Sequence, residues 1–202
     1  MVIFGKILLA SNSPRRYHLL QEAGFDVEVV KGYEVNEVYP ERIDLQDIPA
    51  FLSQKKAEPY IEMARERNLP LVAADTVVIL DGQVMGKPKD EMDAVNMLKK
   101  LSGKWHDVVS GVTLVFPDSE QITFSELTKV KFSSLDDDLI KLYVNNAHPM
   151  DKAGSYGVQE LIGLAGVERI EGDYYNIMGF PVCMFLKFFL SKYPSLLSEK
   201  FD

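Results

Sequence analysis

Cysteine is nearly missing from this chain of 202 residues. Cys183 stands alone, which excludes an internal disulfide and any metal site built from several cysteines, and makes a reducing cytoplasm the natural setting. Long hydrophobic runs are missing too. MVIFGKILLA at the start is too short to span a membrane and lacks the charged opening of a secretory signal. MFLKFFL near the end is short, carries Lys187, and reads as a helix packed on the core. A basic excess is also absent: 30 acidic residues against 22 basic ones leave a net charge of -8, which argues against broad binding to nucleic acid or anionic membrane. Neither an internal repeat nor a low-complexity linker interrupts the chain. What is there, 47% hydrophobic and 26% charged residues, is ordinary globular composition. The expectation is one domain over residues 1–202, in two lobes around one cleft.

Residues 7–20, ILLASNSPRRYHLL, organise the rest: an apolar run stops at a small polar loop with two arginines, then resumes with helical spacing. It reads as strand, loop, helix. Ser11, Asn12 and Ser13 are residue types that cap helices, and Pro14 suits the first helical turn, where a missing N–H has no partner to lose. Arg15 and Arg16 then sit where unpaired N–H groups already favour an anion, so hydroxyls and guanidinium groups together suit phosphate or carboxylate. The bland alternative is an exposed pair of surface arginines. Of the two, Arg15 is the stronger ligand candidate, with Arg16 as a possible brace of the fold.

Further along, Gly24 ends the helix and residues 25–30 alternate as a second strand. Glu34 and Glu37 follow in a polar loop, where solvated charge is the ordinary account. Residues 47–67 have helical composition broken by Pro59, so two helical pieces are expected, the first carrying Lys55 and Lys56. LVAADTVVIL at residues 71–80 reads as a buried strand interrupted by Asp75. An ionised carboxylate there costs several kcal/mol unless it is paired, hydrogen-bonded or bound to a metal. A structural salt bridge would satisfy it. Asp81-Gly82 marks a hairpin turn, Lys87 stands at its exit, and a helix from Pro88 and Asp90 presents Ala94, Val95, Leu98 and Leu101 before Gly103.

Residues 105–115 and 121–132 read as a long hairpin turning at Pro117 and Asp118, with Glu126 and Thr128 on the inward face; exposure at a sheet edge is the simpler account of Glu126. Ser134 with Asp137 resembles a capping box for a helix over residues 136–145. DKAGSYG at residues 151–157 is a glycine-bearing loop that should approach something closely, with Gln159 just beyond. Residues 167–170 suggest a short strand, residues 172–181 a loop, and Pro181 the start of a last helix with Val182, Phe185, Phe188 and Phe189 inward.

Several of these segments together resemble the Maf (septum formation protein) nucleotide pyrophosphatases. Ser11-Asn12-Ser13-Pro14-Arg15-Arg16 is similar to the family's S-x-S-P-R-R, and Lys56-Ala57 to its helical lysine. Ala74-Asp75-Thr76 with Gly86-Lys87-Pro88 resembles A-D-T and G-K-P; Leu101-Ser102-Gly103 with His106 resembles L-S-G-x-x-H; and residues 151–159 resemble D-K-A-G-x-Y-G-I-Q, with Val158 in place of Ile. The resemblance implies an α/β fold like that of the inosine triphosphate pyrophosphatases: an elongated, twisted mixed sheet flanked by helices, with a deep cleft between two lobes. It also implies a homodimer that uses a divalent cation, Mg²⁺ or Mn²⁺, to split nucleoside triphosphates into monophosphate and pyrophosphate.

Carried over by position, Ser11, Ser13, Arg15, Lys56 and Lys87 would hold the triphosphate, with Arg16 beside them. Asp75 would be the general base, and Glu34 with Asp75 would meet the metal. Thr76 and Gln159, like Arg15, match positions tied to substrate choice. The sequence around Gln159 resembles the branch acting on dTTP and UTP; Glu160, where glycine is common, adds charge near the expected base pocket. The alternatives are cleavage of 7-methyl-GTP or a purine triphosphate, a regulator of septation that binds nucleotide without turnover, and, disfavoured by the charge, a nucleic-acid-binding module. A role in removing unwanted nucleotides or arresting division goes with the resemblance.

Overall fold

The computed structural model describes residues 2–33 and 35–194. Within them, β1 (Lys6–Ala10) leads through the polar loop into α1 (Pro14–Glu22), and β2 (Asp26–Val29) returns beside β1. An irregular stretch precedes α2 (Ile48–Ala57), which passes through a 3-10 turn at Glu58–Tyr60 into α3 (Ile61–Arg67). Pro59 lies in that turn, so the helical run breaks where a proline ring forbids a continuous helix. β3 (Leu71–Leu80) and β4 (Gln83–Met85) form the expected hairpin at Asp81-Gly82, and α4 (Glu91–Leu101) is capped by Asp90, whose carboxylate accepts from the Asp93 N–H.

The long hairpin of β5 (Trp105–Val115) and β6 (Gln121–Phe132) is present. After it come α5 (Asp137–Ala147), a 3-10 turn at Ala153–Ser155, α6 (Leu161–Gly166), β7 (Val167–Glu171), α7 (Tyr174–Ile177) and α8 (Val182–Lys192). Three local expectations change. Asp136, rather than Ser134 with Asp137, caps α5, because its carboxylate reaches the N–H groups of Asp138 and Leu139. The loop at residues 172–181 contains a helical turn capped by Asp173, and α6 is a short helix that no apolar periodicity announced.

The described residues form a seven-stranded mixed sheet in the order β2-β1-β3-β5-β6-β7, with β4 also paired to β3. β1 is parallel to β2 and β3, and the remaining pairings are antiparallel. The alternation of β3 divides the core. Val72 and Ala74 pack toward α1 and α8, and Val78 and Leu80 pack toward α4 and α5; Leu71, Ala73, Val77 and Ile79 face α2 and α3.

One edge of β3 changes partner midway. β1 covers it as far as Ala73 and β4 resumes at Val78, so residues 74–77 have no strand on that side. On the other side the ladder with β5 is continuous, and Asp75 stands opposite Gly111. Helix α2 lies against that glycine so closely that an added Cβ would be 2.1 Å from the Ala50 backbone nitrogen.

Candidate active site

A cleft of about 840 Å³ opens around the uncovered edge of β3. Because neighbouring strand residues point to opposite faces, Asp75 and Thr76 meet different surroundings. Asp75, 8% exposed, faces α2, where Lys56 Nζ donates to its Oδ1 at 2.5 Å. The same ammonium lies 2.7 Å from Glu37 Oε1. Desolvation pushes the Glu37 carboxyl upward, but the hydrogen bond and charge of Lys56, with Lys87 and Arg16 beyond, outweigh it and hold its pKa below the usual range. Lys56 therefore joins two carboxylates at the cleft, and Asp75 has the partner that its burial required.

A polar loop without periodicity gives no basis for choosing Glu37 over Glu34, and Glu37 is the acid that meets Lys56 here. Glu34 lies outside the described residues. Lys55 holds the Glu37 segment from the adjacent helical position: its Nζ donates to the carbonyls of Asn36 at 3.0 Å and Val38 at 3.1 Å. Lys87 lines the cleft, exposed, with no carboxylate partner among the described residues.

On the other face, Arg16 is committed to the fold. Its guanidinium donates to Ala74 O at 2.7 Å, Gly179 O at 2.9 Å, and the hydroxyl oxygens of Ser11 and Thr76 at 3.1 Å each. It thus takes the place of a missing strand by satisfying the open-edge carbonyl of Ala74. Arg16, expected beside the substrate-binding groups, thus has the fold-bracing contacts of the alternative reading, and it engages Thr76, whose hydroxyl also meets Ser110 Oγ at 2.8 Å. Arg15 points elsewhere, to Asp151 Oδ2 at 2.7 Å.

Ser13 occupies the N-cap of α1, but its side chain makes no capping bond; Ser11 Oγ accepts from the Ser13 N–H at 3.2 Å. The first turn of α1 is left uncapped beside the cleft, which suits an incoming anion.

Gln159 lines the opposite part of the cleft with Tyr156 and Gly157, and its buried Oε1 has no hydrogen-bond partner among the described residues. Glu160 does not bring a bare charge to this wall: Tyr143 Oη donates to its Oε2, and Lys152 Nζ stands 3.3 Å from its Oε1. The glycine-bearing loop makes the expected close approach, since the Gly154 N–H donates to Gly86 O at 3.1 Å and an added Cβ there would meet Val78 at 3.1 Å. Behind Tyr156, His106 Nε2 pairs with its hydroxyl at 2.7 Å, and burial pushes the imidazole down to about 4. Glu126 lies outside the cleft, and Thr128 is buried against Asn176 and the Asp173 carbonyl.

A family model described as "Maf-like protein" matches residues 6–191. The chain belongs to that family. Among relatives of this Maf-like chain, a Bacteroides fragilis protein named "dTTP/UTP pyrophosphatase" is 46% identical over 177 residues, covering 88% of this chain and 91% of that protein. A Thermosipho africanus protein of the same name is 49% identical over 178 residues, covering 88% of each. Among solved structures, the Staphylococcus aureus Ham1 protein aligns with a TM-score of 0.51 at 14% identity, over 93% of this chain and 99% of that one. That likeness concerns the fold. No helix among the described residues is long and apolar enough to cross a membrane.

Proposed function

We infer that this Maf-like chain hydrolyses nucleoside triphosphates, dTTP and UTP foremost, to the monophosphate and pyrophosphate. The observation that carries this reading is the meeting of Lys56 with Asp75 and Glu37 at the open edge of β3, between the first turn of α1 and Lys87. The names carried by relatives at 46% and 49% identity support the substrate class.

The donor set suits a magnesium-type ion. Two carboxylates converge on one ammonium, and the described residues contain no group of three or more His, Cys, Asp or Glu side chains that could hold an ion by themselves. Hard cations of this kind commonly take one or two protein carboxylates and complete their shell with substrate phosphates and water. Glu37 and Asp75 would hold the ion. When bound, it supplies charge neutralisation on the phosphates and polarises water.

Arg15, Lys87 and the uncapped first turn of α1, with Ser11 and Ser13, receive the triphosphate. They neutralise the charge that grows on the departing pyrophosphate. Asp75 orients a water molecule and takes its proton as the water oxygen joins the α-phosphorus and the α–β phosphoanhydride bond breaks, leaving the electron pair on the former α–β bridging oxygen, now a terminal oxygen of pyrophosphate. Lys56, which donates to Asp75 Oδ1, holds that carboxylate in place for the step. Gln159 faces the base: its free acceptor matches the N3–H donor shared by uracil and thymine.

Incubating the full chain with a nucleotide panel and Mg²⁺ or Mn²⁺, and identifying the products, tests this reading. Pyrophosphate with UMP or dTMP is expected. Orthophosphate, or tight binding without any product, overturns it; preferential cleavage of 7-methyl-GTP or a purine triphosphate overturns the base assignment. The homodimer expected from the resemblance belongs to the same proposal, and sedimentation showing only monomer would remove it.

A further inference from the structure

The wall that carries Gln159 is held from behind by an unusual set of contacts. Tyr143, 1% exposed on α5, donates its hydroxyl proton to Glu160 and accepts the Gly157 N–H at 3.3 Å. Glu160 also lies 3.3 Å from Lys152, a residue 8% exposed, whose ammonium donates to Asp151 Oδ1 at 2.8 Å. The Glu160 N–H closes a turn onto Gly157 O at 3.0 Å, with Gln159 inside that turn. The packing is tight enough that a Cβ on Gly157 would stand 2.7 Å from Glu160 Cδ. Both ends of the turn are therefore fixed by the same carboxylate and phenol.

The carboxamide in between behaves differently. Gln159 Oε1 is buried and makes no hydrogen bond among the described residues. A buried acceptor left unpaired costs about 1–3 kcal/mol, so a free turn would rearrange to satisfy it. The bridge behind the turn opposes that rearrangement and keeps the acceptor available. Its charges are balanced internally, since Lys152 offsets Glu160, and burial together with Glu160 pushes the Tyr143 phenol far up, so it stays a proton donor.

We propose that Tyr143 and Glu160, braced by Lys152, are positioning residues for base selection: they hold the Gln159 turn so that a pyrimidine with an N3–H donor is bound in preference to other bases. This rests on the functional reading above and assigns no contact with the reacting phosphates to Tyr143 and Glu160, which lie outside the cleft lining; Lys152 lines the cleft and reaches Asp151, the partner of Arg15. Loosening it should therefore weaken recognition of the base while leaving the chemical step in place.

The test is steady-state kinetics of the full-length Tyr143→Phe and Glu160→Ala variants with UTP and ATP, alongside thermal melting. Tyr143→Phe retains the buried ring and removes only the hydroxyl, which keeps the test available if Glu160→Ala is poorly folded. In a folded variant, KM for UTP is expected to rise about 5-fold to 10-fold with kcat within about 2-fold of the parent, and the UTP-to-ATP ratio of kcat/KM to fall by a similar factor. A UTP-to-ATP ratio equal to the parent's overturns the proposal, as does a fall in kcat at unchanged KM. If the parent chain releases no pyrophosphate from any nucleotide, the functional reading itself fails; if the parent prefers UTP and both variants keep that preference, only the bridge is refuted.

Discussion

On the α1 and α2 side of the cleft, charged groups meet at a strand edge that has lost its neighbour: Lys56 joins Asp75 and Glu37, while Arg16 covers the Ala74 carbonyl. On the other side, Gln159 and Tyr156 stand on a packed layer in which buried hydroxyls pair with Glu160 and His106. The first wall concentrates charge, and the second leaves one acceptor unpaired among the described residues. Under the proposed function that division suits a ligand with a highly charged end and a flat, weakly polar end, because charge is expensive to bury and base recognition is weak in open water.

The contrast can be broken most severely at Asp75. Asp75→Asn retains shape and loses the proton acceptor, so kcat for UTP should fall about 10²-fold to 10⁴-fold, the usual contribution of general acid–base catalysis. Single-turnover measurement of pyrophosphate checks it, and unchanged turnover would remove Asp75 from its role.

The two arginines sharpen the division within one wall. Arg16→Met leaves Ala74 O without its donor and removes one of two donors to Gly179 O, the other being the Thr76 hydroxyl at 3.3 Å, and should lower stability by about 1–3 kcal/mol, the cost of one buried polar group left unpaired. Arg15→Met should leave the urea midpoint nearly unchanged and raise KM about tenfold, about the worth of one charge-assisted hydrogen bond. Equal effects on stability from both would erase the distinction.

His106 probes the base wall. Its folded pKa of about 4 lies below the ordinary 6.5, so the unfolded chain binds more protons between those values. Stability from this group is therefore complete above about pH 6.5 and is lost as pH falls toward 4, by roughly 3 kcal/mol. Urea midpoints at pH 7.5 and 4.5 should converge in His106→Gln relative to the parent.

The smallest effect is expected from Lys55→Met, which frees the carbonyls of Asn36 and Val38 without touching the carboxylates. About a threefold rise in the Mn²⁺ concentration needed for half-saturation, read by direct metal binding without nucleotide, would follow from a looser Glu37 (about 0.6 kcal/mol). An unchanged value would mean that the segment is held by other contacts.

Much of the placement of the charged wall was legible from the sequence because its signals are local. A strand–loop–helix pattern, a proline at the first helical turn and a carboxylate in an apolar strand each carry a physical reason within a few residues. The choice between Arg15 and Arg16 was less visible, since spacing does not reveal that β1 and β4 leave residues 74–77 uncovered. Glu37 was obscured by an irregular loop in which no period selects one acid over another. The base wall depends on residues as distant as Tyr143 and Glu160, or His106 and Tyr156, whose partnership exists only after the sheet and helices pack. Helix α6, with glycines at 163 and 166, lacked a periodic apolar face to announce it.

Gly111 is not among the residues that line the cleft, yet it acts as a gauge. With no side chain between β5 and α2, the helix seats directly on the strand, and the lysine near its end comes within 2.5 Å of the carboxylate on the next strand. A single methyl group at 111 would be a shim beneath α2, lengthening a distance that the charge pair cannot adjust from its own side. The tolerance of the charge pair is thus set by an atom that is not there, on a residue one strand away.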